Sequence, residues 1–262
     1  MKTHQFRIET EHPLAHGPDT TKPMGARLGN ARCPRWNQLV FELLAPNYSR
    51  PVNVIDLGCA GGGWVKDCWD WGHVAVGIDG CGWGKAHGNC EWAQIPQYLF
   101  TADIAKPFAV HDGGGIFLAD LITAWDVLEH VPERGLEVAI VNARCHLKKG
   151  GLLVCTVSTL PDERNGARYH ATVKPEEWWQ STFANLGFSR LPDLERYFCG
   201  HYVRGPKHPI SGGTPFVLSP SPTLAPKPPR KSLAHSLMDH WHGSFVYRCV
   251  KHALIGPTEE SR

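Results

Sequence analysis

The stretch Val54-Ile55-Asp56-Leu57-Gly58-Cys59-Ala60-Gly61-Gly62-Gly63 decides the reading of this chain. It begins as an apolar, β-branched run, meets an acid and passes into small residues. That order predicts a strand at 52–57, a tight loop, and a helix over 64–71. Backbone this little encumbered lets a ligand approach closely. Register excludes two ligands that use such loops. The dinucleotide fingerprint needs Gly-x-Gly-x-x-Gly. Counted from Gly58 its second glycine is Ala60, and counted from Gly61 its third is Lys66. A phosphate loop needs Gly-x-x-x-x-Gly-Lys. Gly58 and Gly63 keep that spacing, but Trp64 stands where the lysine must be.

Outward from the loop, strand-like and helix-like patterns alternate. Upstream, Trp36, Leu39, Val40, Leu43 and Leu44 recur at helical spacing, with Pro34 suited to a first turn and Pro46 as a stop. Downstream, strands are expected at 73–79, 98–102, 121–125 and 152–157, with a helix over 136–147 that Gly150-Gly151 ends. A helix over 175–186, closed by Gly187, precedes a sixth strand at 188–191. Alternation of this kind implies βαβ units and a doubly wound, mainly parallel sheet. Residues 206–232 carry eight prolines and read as a surface excursion, excluded from helix and central strand. Residues 244–251 read as a final strand. The expected organisation is an arm and cap helix at 1–50, a core at 51–200, the Pro-rich excursion at 201–243, and the last strand with its tail at 244–262.

Composition narrows the classes. The 262 residues are 42% hydrophobic and 20% charged, which is globular rather than disordered. No apolar run approaches the ~18 residues of a membrane span. The opening MKTHQFRIETEH lacks the apolar centre of a signal peptide, so no leader is expected. Net charge is +2 with scattered Lys and Arg, so no nucleic-acid footprint is expected. Nine cysteines never form a CxxC pair, which argues against a zinc ribbon or a disulfide framework. A reducing, cytoplasmic setting is expected.

An acid at a strand end followed by Gly-x-Ala-x-Gly resembles the first motif of class I S-adenosylmethionine-dependent methyltransferases, Asp/Glu-x-Gly-x-Gly-x-Gly. Asp56, Gly58 and Gly62 match it, and Ala60 replaces the middle glycine. The resemblance implies a Rossmann-like sheet of seven strands, the last antiparallel. It also implies that Gly58, Cys59, Ala60 and Gly62 wrap the amino-acid end of S-adenosylmethionine. Asp79 and Gly80 would serve the ribose hydroxyls, 23 residues after Asp56. Asp103 and Ile104 would serve the adenine, and Asp126 and Val127 would line the cofactor below the methyl group. The donor chemistry agrees, since an ammonium and a diol need acceptors that carboxylates supply.

Trp125-Asp126-Val127-Leu128-Glu129-His130-Val131-Pro132 is similar to the fourth-motif region of small-molecule O-methyltransferases of the ubiquinone-biosynthesis type. His130 would then be a base for an acceptor hydroxyl. Glu129 could orient substrate, act as base, or join His130 in holding a divalent metal, although no metal is expected. A second candidate region follows the fifth strand, with His170 as an alternative base and Trp178 or Trp179 as a stacking face. Arg27, Arg32 and Arg35 could clamp an anion, or lie in solvent. Amino-methylating DNA enzymes carry Asn/Asp-Pro-Pro-Tyr where this chain has Asp126-Val127-Leu128-Glu129, which disfavours a base amine. The expected activity is O-methylation of a small molecule or sugar. Methylation of nitrogen or of a protein, and a non-catalytic binding protein on the same fold, remain the alternatives.

Overall fold

Val54 and Ile55 are neighbours in one strand, yet they are buried in two different cores. The computed structural model describes residues 4–18, 28–29, 31–198, 201–203 and 213–229. The elements run β1 (Phe6–Glu9), α1 (Pro34–Leu44), β2 (Asn53–Leu57), α2 (Gly63–Asp70), β3 (Val74–Asp79), α3 (Trp83–His87), β4 (Leu99–Thr101), β5 (Ala109–Asp112) and β6 (Gly115–Ile116). Then follow β7 (Ala119–Trp125), α4 (Glu133–His146), β8 (Leu147–Ser158), β9 (Glu163–Arg164), β10 (Ala167–Arg168), α5 (Glu176–Asn185), β11 (Ser189–Arg190), α6 (Pro192–Phe198) and β12 (Gly213–Ser219).

Seven strands form one sheet in the order β11-β12-β8-β7-β2-β3-β4. The pairs from β8 to β4 are parallel, and β12 runs antiparallel to both β8 and β11. Successive side chains of a strand point to opposite faces, so a sheet covered on both sides needs two cores. Ile55, Ile78, Ile122 and Leu153 face α4 and α5, where Leu136, Ile140, Trp179 and Phe183 close the first core. Val54, Ala75, Leu121 and Val154 face α1, α2 and α6, where Trp36, Val40, Trp64 and Phe198 close the second. This is the doubly wound Rossmann-like arrangement expected from the sequence, with its acidic strand ends gathered on one edge.

Three local expectations need correction. The arm contains a strand that the sequence reading did not expect: Phe6–Glu9 pairs with β5 in a separate three-stranded sheet with β6. The Pro-rich stretch does enter the sheet, because β12 lies between β8 and β11 with Pro215 opposite Thr156. The proline is tolerated there because β11 reaches only Leu218 and Ser219, which leaves one side of Pro215 without a ladder to break. β12 is an antiparallel neighbour of β8, and the final strand expected at 244–251 lies outside the described residues. Finally, β8 starts at Leu147, straight after α4. Ala119 pairs with Leu147 and Leu121 with Leu152, and Gly150, at φ 79°, absorbs the irregularity.

Candidate active site

The glycine loop is built by left-handed backbone at alternate residues. Gly58, Ala60 and Gly62 have φ of 71°, 47° and 86°. Two of these positions also exclude a side chain. A Cβ on Gly58 would stand 2.3 Å from Val127 Cγ2, and one on Gly62 would stand 2.6 Å from Leu99 Cδ1. Ala60 carries its Cβ in this conformation at a cost of about 1–2 kcal/mol. The loop is bonded to its surroundings. The Gly58 and Cys59 N–H groups both donate to the Ile78 carbonyl, at 2.7 and 3.1 Å. Trp92 Nε1 donates to the Ala60 carbonyl at 2.8 Å.

Asp79, the last residue of β3, receives the Ala60 N–H on Oδ2 at 2.7 Å and the Cys81 N–H on Oδ1 at 2.8 Å. It therefore ties the loop to the end of the next strand. Asp103 lies just past β4, and its Oδ1 accepts the Ala105 N–H at 2.9 Å. Ile104 beside it is buried. Asp126 ends β7 in a left-handed turn, φ 53°, and its Oδ1 accepts from Thr156 Oγ1 at 2.6 Å. Asp56, counted with the loop among the cofactor-binding residues, is the fourth residue of β2. It is buried, and Thr123 Oγ1 donates to its Oδ1 at 2.7 Å. Burial pushes its pKa up to about 7; the Thr123 hydroxyl works against the rise and Asp79 adds to it.

The arm crosses this edge. Asp103 N–H donates to the His12 carbonyl and Ala15 N–H donates to the Gly80 carbonyl, both at 2.9 Å. Gly80 and Gly82 have no room for side chains because Ala15 and Leu14 lie against them, at 2.7 and 2.9 Å from where a Cβ would be. Glu91, which no sequence pattern singled out, joins another part of this region to the loop. Its Oε1 accepts the Gly29 N–H at 2.7 Å, and its own N–H donates to the Gly61 carbonyl at 3.1 Å.

Past β7 the chain makes a short 3-10 turn over Leu128–His130. Glu129 is fully buried, and its Oε1 accepts the Ser158 N–H at 2.9 Å. Burial, followed by the nearby Asp126 charge, pushes its pKa up to about 8. His170 comes from far along the chain, and its ring lies edge-on to His130 with centroids 4.9 Å apart. Thr172 fixes that return: its N–H donates to the Glu129 carbonyl at 2.9 Å and its hydroxyl to the Val131 carbonyl at 2.8 Å. The fold thus unites the three residues named separately as catalytic candidates. A depression of about 500 Å³ opens nearby, lined by Thr159, Lys174, Glu177 and Thr214 among others.

Other candidates do not join the site. Trp179 is fully buried against Phe183 in the first core, so it offers no stacking face. Trp178 packs under the Lys174 ammonium, 5.0 Å from its ring centre. Arg32 pairs with Asp70, and Arg35 donates to Gln38. Arg27 lies outside the described residues.

The donor set suits S-adenosylmethionine. Val127 and Leu99 fill the space where a Cβ would stand on Gly58 and Gly62, so both positions keep glycine and the loop keeps its left-handed turns. Next to it stand carboxylate acceptors for a diol and an amine, and the loop itself carries no Lys or Arg for a diphosphate. Solved structures align with this chain at low identity and with TM-scores below 0.5. A methyltransferase from Clostridium acetobutylicum aligns over 72% of this chain and 92% of its own, with 11% identity and a TM-score of 0.47. An amino pentose methyltransferase from Micromonospora echinaspora aligns over 70% and 89%, with 13% identity and a TM-score of 0.48. The N-methyltransferase NodS from Bradyrhizobium japonicum aligns over 60% and 74%, with 22% identity and a TM-score of 0.40. A search of curated proteins gave no match. Residues 30–198, well over half of the chain, match the family model described as a methyltransferase domain. The chain belongs to that family and is an S-adenosylmethionine-dependent methyltransferase.

Proposed function

We propose that this methyltransferase acts on a hydroxyl of a small molecule or sugar. The observation that carries the reading is the meeting of Glu129, His130 and His170 past the ends of β7 and β8. The cluster follows Val127, whose side chain touches the Gly58 position of the loop. Asp79 and Asp103 would hold the nucleoside, and Gly58, Cys59, Ala60 and Gly62 would lie along the amino-acid end. The bound cofactor supplies a methyl group on a sulfonium, which needs positioning more than activation. A neutral hydroxyl is a poor nucleophile, so the protein must help remove its proton. A cluster of two imidazoles and a carboxylate suits that task. The neighbouring depression, with Thr159, Lys174 and Glu177 on its walls, supplies polar contacts suited to a hydroxylated acceptor.

The test is a labelled-methyl transfer screen over phenols, sugars, nucleotide sugars, amines and peptides. Transfer to a hydroxyl acceptor is expected, with kcat reduced about 10²–10⁴-fold in His130→Ala. Transfer confined to amines would overturn the reading. Among the described residues no helix is long and apolar enough to cross a membrane, and an aqueous, cytoplasmic acceptor is part of the proposal.

A further inference from the structure

Two features of the Glu129–His130–His170 cluster go beyond proton removal. Glu129 Oε1 is engaged by the Ser158 N–H, but Oε2 is buried and has no hydrogen-bond partner. A buried carboxylate oxygen without a partner is costly, and an orphan of this kind calls for a missing group. The second feature is the tautomer of His170. Its Nδ1 lies 2.6 Å from the Leu160 carbonyl, which can only accept, so Nδ1 is the donor and in the neutral ring Nε2 offers the lone pair. A backbone carbonyl that fixes the far nitrogen in this way is the usual support for a histidine bound to a metal.

The ligand atoms of Glu129, His130 and His170 lie within 4.8 Å of one another. An ion at roughly 2.0–2.2 Å from each would hold them no more than about 4.4 Å apart, so a short inward rotation completes the set. The nearby carboxylates are already committed: Asp126 Oδ1 accepts from Thr156, and Asp162 is held by both ends of the Arg164 guanidinium. We infer that Glu129, His130 and His170 form a site for one divalent transition cation, open on the side of the acceptor.

Two imidazoles with one carboxylate favour manganese, iron or zinc over magnesium and calcium, which prefer all-oxygen sets. Three protein ligands leave positions for an acceptor oxygen. An acceptor hydroxyl seated there loses its proton to water and keeps its electron pair, which is the state the proposed O-methylation needs. The role in catalysis rests on that proposal; the binding of the ion does not.

The experiment uses the full chain, stripped with a chelator and exchanged into metal-free buffer. Mn²⁺ is titrated in by calorimetry and by the electron paramagnetic resonance of the free ion. One saturable ion per chain is expected, with Ca²⁺ at least 10-fold weaker. His170→Ala, in a surface segment, should weaken Mn²⁺ at least 10-fold, and Glu129→Gln should do the same if it folds. His87→Ala, on α3 away from the cluster, should bind as wild type. S-adenosylhomocysteine is titrated into each sample to report an intact core. Absence of saturable Mn²⁺ binding, or equal Mn²⁺ affinity in wild type and His170→Ala, overturns the site. Mn²⁺ binding without transfer to any hydroxyl acceptor leaves the site standing and removes only the O-methylation reading.

Discussion

Alanine at position 60 is the one departure from the expected glycine pattern, and its backbone shows what the departure costs. At φ 47° a Cβ is strained by about 1–2 kcal/mol, while glycine at the same place would give back roughly 0.4–1 kcal/mol through a freer unfolded chain. Ala60→Gly should therefore leave stability unchanged or raise it by up to about 1 kcal/mol in urea unfolding. Gly58→Ala should behave oppositely. Its new Cβ would meet Val127 at 2.3 Å, so a loss above about 2 kcal/mol is expected, with weaker S-adenosylhomocysteine binding. Equal stability of the two variants would show that the loop conformation described here is wrong. Asp79 is the residue to test for the cofactor itself. Its loss in Asp79→Ala should weaken S-adenosylhomocysteine by about 1–3 kcal/mol in calorimetry, the worth of charged hydrogen bonds. Unchanged affinity would take Asp79 out of the site.

At the scale of elements, the strands and helices written in hydrophobic periodicity were legible, and those written in long-range pairing were not. Asp56, Asp79, Asp103 and Asp126 could be placed near strand ends because each follows an apolar run. Their convergence follows from parallel strands adjacent in one sheet. By contrast Phe6–Glu9 alternates too briefly to stand out, and it is a strand only because Ala109–Asp112 lies opposite it. The return of His170 to His130 depends on Thr172 bonding to Glu129 and Val131, across about 40 residues that no local pattern records. Glu91 was missed for the same reason. The arm is the element with the most direct consequence. Residues 12–15 hold on to Asp103 and Gly80 through main-chain bonds, and Leu14 remains 46% exposed at that rim. Ala15→Pro removes one of those donors without touching the sheet. S-adenosylhomocysteine should then dissociate about 10-fold faster in stopped-flow measurements, with the thermal midpoint little changed. Slower release would mean that the arm obstructs the cofactor instead of retaining it.

For the whole molecule, the same edge that collects acids for a cationic, hydroxylated ligand burdens the empty protein with buried charge. Asp56 illustrates the sign. Its folded pKa is raised to about 7 from 3.8, so the fold prefers the protonated acid. The contribution to stability is therefore present below about pH 4 and is lost as pH rises toward and through 7. Glu129 shifts in the same direction, to about 8. Asp120, at the opposite edge of the sheet, shifts the other way. Burial alone would raise it, but Arg50, the Asn53 N–H and Lys148 outweigh burial and hold it below its usual value. Its contribution is lost only in acid, outside the window in question. Asp56 and Glu129 should thus cost the ligand-free chain stability between pH 5 and 8, opposed below about pH 6.5 by His73, whose imidazole pKa burial lowers to about 4. Asp56→Asn keeps an acceptor for the Thr123 hydroxyl but cannot ionise, so it should flatten part of that decline. Unfolding in urea at pH 5, 6, 7 and 8, with chelator present, measures it. The variant should gain on wild type steadily across the series, by on the order of 1–4 kcal/mol at pH 8. A difference that stays constant with pH would show that the Asp56 pKa is the same in the folded and unfolded chain.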